Sequence, residues 1–249
     1  MAKLFDALVR NMFFSNKNNL ISLDEPYKVL GNLLKGHKVT GIIDAGASNG
    51  RISRRVLKIF PEASVYAFEP NPLYENTLNQ FAKEDSRFFP NFIALSDSRG
   101  DADLCITESP GIASLYKPGK LLKEMDSHGS SLKSTLKINV IPLDEWLNQN
   151  GNPSIQFMKL DIQGSELRAL RGAEKALKSS MLAVYTEILF NSLYDGGSLH
   201  SEIDLCLREC GFVLYDIFKP KYNPNGLLMW GNAIYLHSKR LDIKKAIND

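Results

Sequence analysis

The stretch IIDAGASNG, residues 42–50, places a carboxylate, Asp44, two positions ahead of a glycine turn that runs from Gly46 to Gly50. Ile42 and Ile43 continue an apolar run from Val39, the pattern of a strand buried on both faces, and glycines at its end let backbone N–H groups approach a ligand closely. A carboxylate inside such a strand must leave water, so Asp44 calls for a cationic or donor partner. Residues 64–72, SVYAFEPNP, read as a second short buried strand that ends in Glu69 ahead of two prolines. Open α/β sheets hold ligands beyond the carboxyl ends of their strands, which would set Glu69 beside the Gly46 turn, where a carboxylate can take both hydroxyls of a ribose. The spacing Gly46-x-x-x-Gly50 is not G-x-G-x-x-G and no Gly-Lys-Ser/Thr follows, so a phosphate ligand is not expected.

These acids need a sheet to position them. Ile52, Val56, Ile59 and Phe60 recur at helical spacing, which predicts a helix laid on the sheet after Gly50. A helix over 72–83, a third strand reached through RFFPNFIALS, a fourth in IQFMKLDI (155–162), a fifth in LAVYTEIL (182–189), a helix over 201–210 and strands in GFVLYDIF and GNAIYLH complete a seven-stranded α/β reading, the last strand antiparallel. Gly164 precedes a helix that Ser165 can cap and whose first turn Glu166 favours. DADLCIT (101–107) and KINVIP (137–142) are expected to pair as an inserted β-ribbon with no helix between them, and GIASLY (111–116) is where the intervening polar loop should touch ligand. Tyr116 and Lys120 have the Tyr-x-x-x-Lys spacing of a nicotinamide-dependent dehydrogenase, but Pro118 and Gly119 break the helix that such a pair requires.

With 249 residues, 44% apolar and 23% charged, the chain is expected to form one α/β domain, residues 37–249, behind an N-terminal helical cap, residues 1–36. Leu4, Phe5, Leu8, Val9 and Met12 predict an amphipathic helix within that cap, followed by the polar linker SNKNN and a second helix over 25–35. A net charge of +2 offers no general field for polyanions, so nucleic acid is an unfavoured partner. Three cysteines, two of them (Cys206 and Cys210) one helical turn apart, read as core residues of a reducing cytoplasm rather than as a disulfide or metal framework. No apolar run is long enough to span a bilayer, and Lys3, Asp6 and Arg10 interrupt a signal-peptide core, which points to a soluble, cytoplasmic protein. Nothing in the sequence bears on oligomeric state.

DAGASNG, FEPNP, NFIALSDSRGD, VIPLDEWL, FMKLDIQGSE and GFVLYDI, in that order from about residue 40 to about residue 237, resemble the FkbM-type methyltransferase family. The resemblance implies a class I methyltransferase (Rossmann-like) doubly wound fold, S-adenosylmethionine as cofactor, and methyl transfer to a hydroxyl oxygen of a sugar, a polyketide or another small polyhydroxylated acceptor. It places Asp44, Gly46, Asn49 and Gly50 around the cofactor's amino acid end, Glu69 on its ribose, and Ala94, Ser96 and Asp97 against its adenine. A non-catalytic binding module that keeps this pocket is the alternative, alongside the Rossmann-type oxidoreductase.

An unactivated hydroxyl is a poor nucleophile near neutral pH, so transfer to oxygen needs a base or a metal beside it. Asp161 at the end of the fourth strand and Glu187 near the end of the fifth are expected to converge, through a divalent metal such as magnesium or without one, and His200 stands as a third candidate proton acceptor. Ser114, Tyr194 and Glu166 are the candidate contacts to the acceptor.

Overall fold

A computed structural model describes residues 25–241, so the expected helix over residues 2–14 and the linker behind it lie outside the described residues. Helix α1 (Pro26–Leu33) leads into β1 (Gly41–Ala45), whose five residues are all buried, as the apolar run demands. Then follow α2 (Arg51–Ile59), β2 (Ser64–Phe68), α3 (Glu75–Glu84) and β3 (Phe88–Asn91) in strict alternation. After an inserted region, α5 (Leu143–Gln149), β7 (Phe157–Leu160), α6 (Glu166–Arg171), α7 (Glu174–Ser179), β8 (Ala183–Leu189), α8 (His200–Glu209), β9 (Phe212–Tyr222) and β10 (Leu228–His237) complete the main sheet.

That sheet has seven strands in the order β3-β2-β1-β7-β8-β10-β9. Strands β1, β2, β3, β7 and β8 are mutually parallel, and β10 runs antiparallel to both β8 and β9. This is the doubly wound class I methyltransferase arrangement. The chain turns back on itself between β1 and β7, and the crevice beyond the carboxyl ends of these two strands is the topological switch point, where open α/β sheets bind ligands. Each face of the sheet has its own apolar core. Ile42, Val65, Phe157, Tyr185 and Ile234 pack under α1, α2 and α3, whereas Ile43, Met158, Val184, Ile188 and Tyr235 pack under α5, α6, α7 and α8.

The insertion is larger than its two sequence segments suggest. Strand β5 (Gly100–Thr107) pairs antiparallel with β6 (Leu132–Ile141), and β4 (Ala94–Leu95) adds a parallel third strand. Contrary to expectation, the segment between β5 and β6 contains a helix, α4 (Lys120–Met125). Six residues are too few to show a period, and what fixes α4 is tertiary: Leu122 docks with Leu189, Leu193, Tyr194 and Met229. Tyr116 lies ahead of α4, so it shares no continuous helix with Lys120 and the dehydrogenase pairing is not formed.

Candidate active site

A cavity of about 500 Å³ opens at the switch point, within the range of roughly 300–1,000 Å³ usual for ligand sites. The end of β1, the end of β2 and the segment after β7 form its floor, and Gly111 to Leu115 of the insertion form its roof. GIASLY therefore reaches the site as expected.

At the floor, Gly46 adopts φ 75°, and a Cβ there would lie 1.9 Å from the carbonyl oxygen of Asp161. Its N–H donates to Phe68 O at 2.9 Å. Gly46 thus lines the cavity, but its smallness serves the close passage of the chain leaving β7, not the approach of a ligand to its N–H. Gly50, expected at the cofactor, is not in the cavity wall. At φ 74° it heads α2, and a Cβ would press on Phe81 and Leu78 at 3.1 and 3.2 Å.

Asp44 is also displaced from its expected role. It is fully buried and absent from the cavity wall, and its partners are Ser53 Oγ, which donates to Oδ2 at 2.6 Å, and Lys159 Nζ at 3.1 Å from Oδ1. Asp44 and Lys159 stand opposite each other in the parallel β1–β7 register. Burial alone would depress the Lys159 pKa, but the Asp44 and Asp161 carboxylates outweigh it and hold the ammonium above its ordinary value. Lys159 Nζ also donates to Gly46 O at 2.7 Å and Ala45 O at 3.2 Å, so this buried cation, which does line the cavity, ties the turn to β7.

Glu69 lies where expected. It is 7% exposed, and its Oε2 accepts from Ser48 N at 2.8 Å while Oε1 accepts from Asn71 N at 2.9 Å. Each oxygen keeps a lone pair for a further donor, so the carboxylate is pre-oriented toward the cavity that it lines. Burial raises its pKa above the usual carboxylate value against the pull of these two amides. Asn49 and Ala94 line the cavity, joined by Leu95. Ser96 and Asp97 do not. Ser96 is fully buried behind β4, and Asp97 turns away to Arg168, which donates to its Oδ1 at 3.0 and 3.1 Å.

The acids of the fourth and fifth strands do come together, through a residue that the sequence did not single out. Gln163 Nε2 donates to Asp161 Oδ1 at 2.8 Å and to Glu187 Oε2 at 3.1 Å. Its Oε1 accepts from the Tyr194 hydroxyl, and its backbone carbonyl accepts from Ser114 Oγ at 2.6 Å. One side chain and one carbonyl thereby join the end of β7, the end of β8, the loop after β8 and the insertion. The backbone at Gln163 is left-handed, at φ 55°, a conformation that a non-glycine residue holds only where its surroundings fix it. Asp161 faces the cavity with its side chain 44% exposed, and Lys159 Nζ lies 4.0 Å from its Oδ2. Desolvation by the surrounding protein, then the charges of Asp161 and Glu166, push half-buried Glu187 well above the usual carboxylate range.

Of the remaining candidates, Ser114 lines the cavity and Tyr194, Glu166 and His200 do not. Tyr194 is 1% exposed and acts on the site only through Gln163, whereas Ser114 is a true wall residue. Glu166 is 1% exposed and accepts from Ile162 N at 2.9 Å, which steadies the turn before α6. Ser165 makes no side-chain cap bond to that helix. His200 begins α8, with its ring 5.1 Å from that of Phe190 and its Nε2 buried without a partner, and the fold does not bring it to the cavity wall. The expectation of a metal between Asp161 and Glu187 finds no support: the donor amide of Gln163 occupies the space between their oxygens, and among the described residues no group of three or more His, Cys, Asp or Glu is placed to hold an ion. Lys159 had a signal in the sequence, as the one charge inside the apolar run FMKL. Gln163 had none.

Burial raises the Glu166 carboxyl to about 7, with the charge of Asp161 adding to the shift. The folded state therefore keeps this proton to higher pH than the unfolded chain, and the stability that the protonated form contributes is fully present below about 4.3 and is lost as pH rises through about 7. Glu166→Gln mimics the protonated form. Its stability relative to wild type should rise by on the order of 3 kcal/mol between pH 4 and pH 8, at about 1.4 kcal/mol per pKa unit. Urea unfolding at the two pH values measures this, and a difference independent of pH would contradict it.

Comparison with known proteins agrees with this geometry. A 2-O-methyltransferase, NoeI, of Sinorhizobium fredii is 26% identical over 160 residues, 62% of this chain and 65% of that protein. The hexuronic acid methyltransferase AglP of Haloferax volcanii is 30% identical over 122 residues, 47% of this chain and 44% of that protein. The chain thus spans less than two thirds of the length of these relatives. The crystal structure of methyltransferase FkbM from Methylobacillus flagellatus covers 86% of this chain and is itself covered to 48%, at 16% identity and a TM-score of 0.48. The profile of the methyltransferase FkbM domain matches residues 44–214, from the buried Asp44 through the Asp161–Gln163–Glu187 network and into β9, and the chain belongs to that family.

Proposed function

We propose that this protein is an S-adenosylmethionine-dependent methyltransferase that acts on a hydroxyl oxygen of a sugar, a polyketide or another small polyhydroxylated acceptor. The observation that carries the reading is the half-exposed Asp161 carboxylate, which faces a switch-point cavity whose other end holds the buried, pre-oriented Glu69. The residues fit the cofactor: Glu69 would take its ribose hydroxyls, Leu95 and Ala94 would flank its base, and Asn49 would meet its amino acid end. Bound there, S-adenosylmethionine supplies an electrophilic methyl group, so the chain itself has to orient the acceptor and remove its proton. Asp161 can do this because Gln163 engages Oδ1 and leaves Oδ2 for the acceptor hydroxyl. Lys159 Nζ lies 4.0 Å from that Oδ2. Glu187, whose pKa is raised, stands beside it as the group that retains a proton. The names of the two relatives, a 2-O-methyltransferase and a hexuronic acid methyltransferase, support the oxygen of a sugar as acceptor.

Incubation with methyl-labelled cofactor and a panel of methyl glycosides, hexuronides and polyketide alcohols tests the reading, with product position read by NMR. Cofactor binding without transfer to any member would favour the non-catalytic binding module. Chelator should leave turnover intact, and its loss with recovery in magnesium would instead put a cation in the place of the Gln163 amide. Glu69→Ala should weaken cofactor binding at least about tenfold by calorimetry, since a hydrogen bond to a charged group contributes roughly 1.5 to 3 kcal/mol. Unchanged affinity in the folded variant would remove Glu69 from the ribose.

A further inference from the structure

Beyond Glu187 the carboxyl edge of the sheet continues in a strip to Asn232 and Trp230, which none of the roles above uses and which, like Glu187, lie beside the cavity wall rather than in it. Antiparallel strands place directly opposite residues on the same face, and alternate residues share that face. In the β8–β10 register Glu187 is opposite Asn232, and Leu189 is opposite Trp230. Glu187, Asn232 and Trp230 therefore lie side by side on one face of the sheet, and because β10 runs antiparallel, its first residues lie at the same end as the carboxyl ends of β7 and β8. All three are half-buried. Trp230 rests on the apolar cluster of Leu122, Leu189 and Leu193. The Asn232 amide makes no side-chain hydrogen bond among the described residues, whereas Glu187 Oε2 is held by Gln163, the same amide that holds Asp161. The strip is thus continuous with the proposed base through one side chain.

Resting on the methyl-transfer reading, we propose that Glu187, Asn232 and Trp230 form the acceptor subsite, and that it takes a hexopyranose ring. Such a ring has a flat C–H face and a rim of hydroxyls. An indole with a negative π-face suits the first, and a carboxyl group beside an amide suits the second, since together they offer both donors and acceptors. A lipid or a bare polyketide chain would strip water from Asn232 and Glu187 without replacing its hydrogen bonds, which sites with buried polar groups penalise heavily. In this arrangement Trp230 carries the ring, Asn232 and Glu187 set its rotation, and one ring hydroxyl is presented to Asp161.

The test uses the whole protein with S-adenosylhomocysteine added, and methyl β-D-glucopyranoside and methyl β-D-glucuronide as probes. Saturation-transfer NMR should show ring C–H protons of at least one probe against aromatic protein protons, and this signal should be lost in Trp230→Ala and retained in part in Trp230→Phe. In turnover assays with a methylated glycoside, Asn232→Ala should raise the acceptor KM about tenfold while cofactor affinity, measured by calorimetry, stays at the wild-type value. If the Trp230→Ala protein fails to fold, Trp230→Phe and Asn232→Ala carry the test. Glycoside binding without methyl transfer would support the subsite and overturn the methyl-transfer reading. Glycoside turnover with unaltered KM in Asn232→Ala and Trp230→Phe would overturn the subsite and leave that reading standing. Absence of any glycoside signal in the wild-type protein would overturn the subsite.

Discussion

Asp161→Asn should lower turnover with a hydroxylated acceptor by at least a hundred-fold and as much as ten-thousand-fold, the usual contribution of a positioned base, while cofactor affinity stays close to wild type. Asparagine keeps the shape of aspartate, and its oxygen can still accept from Gln163 Nε2, now at 2.8 Å from Asp161 Oδ1, so the tie to Glu187 and the insertion survives. What it loses is the capacity to receive a proton. Because Lys159 remains paired with Asp44 at 3.1 Å, the Gly46 turn should hold its form, and the defect should appear in the chemical step alone. Stopped assays with labelled cofactor, paired with calorimetry of cofactor binding, separate the two quantities. If Asp161→Asn and Glu187→Gln both turn over at the wild-type rate with the true acceptor, the base lies elsewhere.

Lys159→Met should destabilise the fold by about 3 to 5 kcal/mol, the usual cost of removing one member of a buried ion pair and leaving the other charged and unpaired. The site is severe in this respect, since the side chains of Lys159 and Asp44 are 4% and 1% exposed and only Ser53 would remain to Asp44. The paired change Lys159→Met with Asp44→Leu should recover most of that loss, because an apolar pair of similar volume removes the desolvation penalty of both ions. Cofactor affinity should not recover with it. The carbonyls of Ala45 and Gly46 lose the cation that fixes them in either variant, and these residues line the cavity. Urea unfolding of the two single variants and the double variant, with cofactor titration of each, measures both effects. Full additivity of the two single changes would mean that the pair carries no coupling.

The elements of the fold, and the place of Glu69 at the carboxyl edge of β2, were readable along the chain because their signals are local. An apolar run of a few residues marks a buried strand wherever it sits, so β1, β2, β7 and β8 fall inside the segments that their composition picks out, and β10 contains GNAIYLH but starts ahead of it, at Leu228. A strand that ends in an acid before a proline delivers Glu69 to the carboxyl edge whatever surrounds it. The β5–β6 ribbon could be read from two strand-like segments with opposite ends in reach of each other.

The acceptor half depended on distances that no local pattern carries. Asp44 needed a cation, but which one followed only from the β1–β7 register, which sets Lys159 opposite it across 115 residues of chain. The same pairing leaves Asp44 buried beneath the cavity wall rather than in it. Gln163 stands in the motif FMKLDIQGSE without a chemistry of its own to mark it, and it joins Asp161 to Glu187 because a left-handed turn aims its amide between two acids from different strands. Gly46 and Gly50 looked like concessions to a ligand and proved to be concessions to Asp161 and Phe81. His200, one strand-end loop beyond Glu187 in sequence, went to Phe190 because the start of α8 follows the packing of Ile203 and Leu207 into the core, not the direction of the cavity. Sequence alone determined which residues end at the ligand-binding edge of the sheet. Only the tertiary structure decided which of them face the cavity, because side-chain direction there is set by register and by helix docking between segments far apart in the chain.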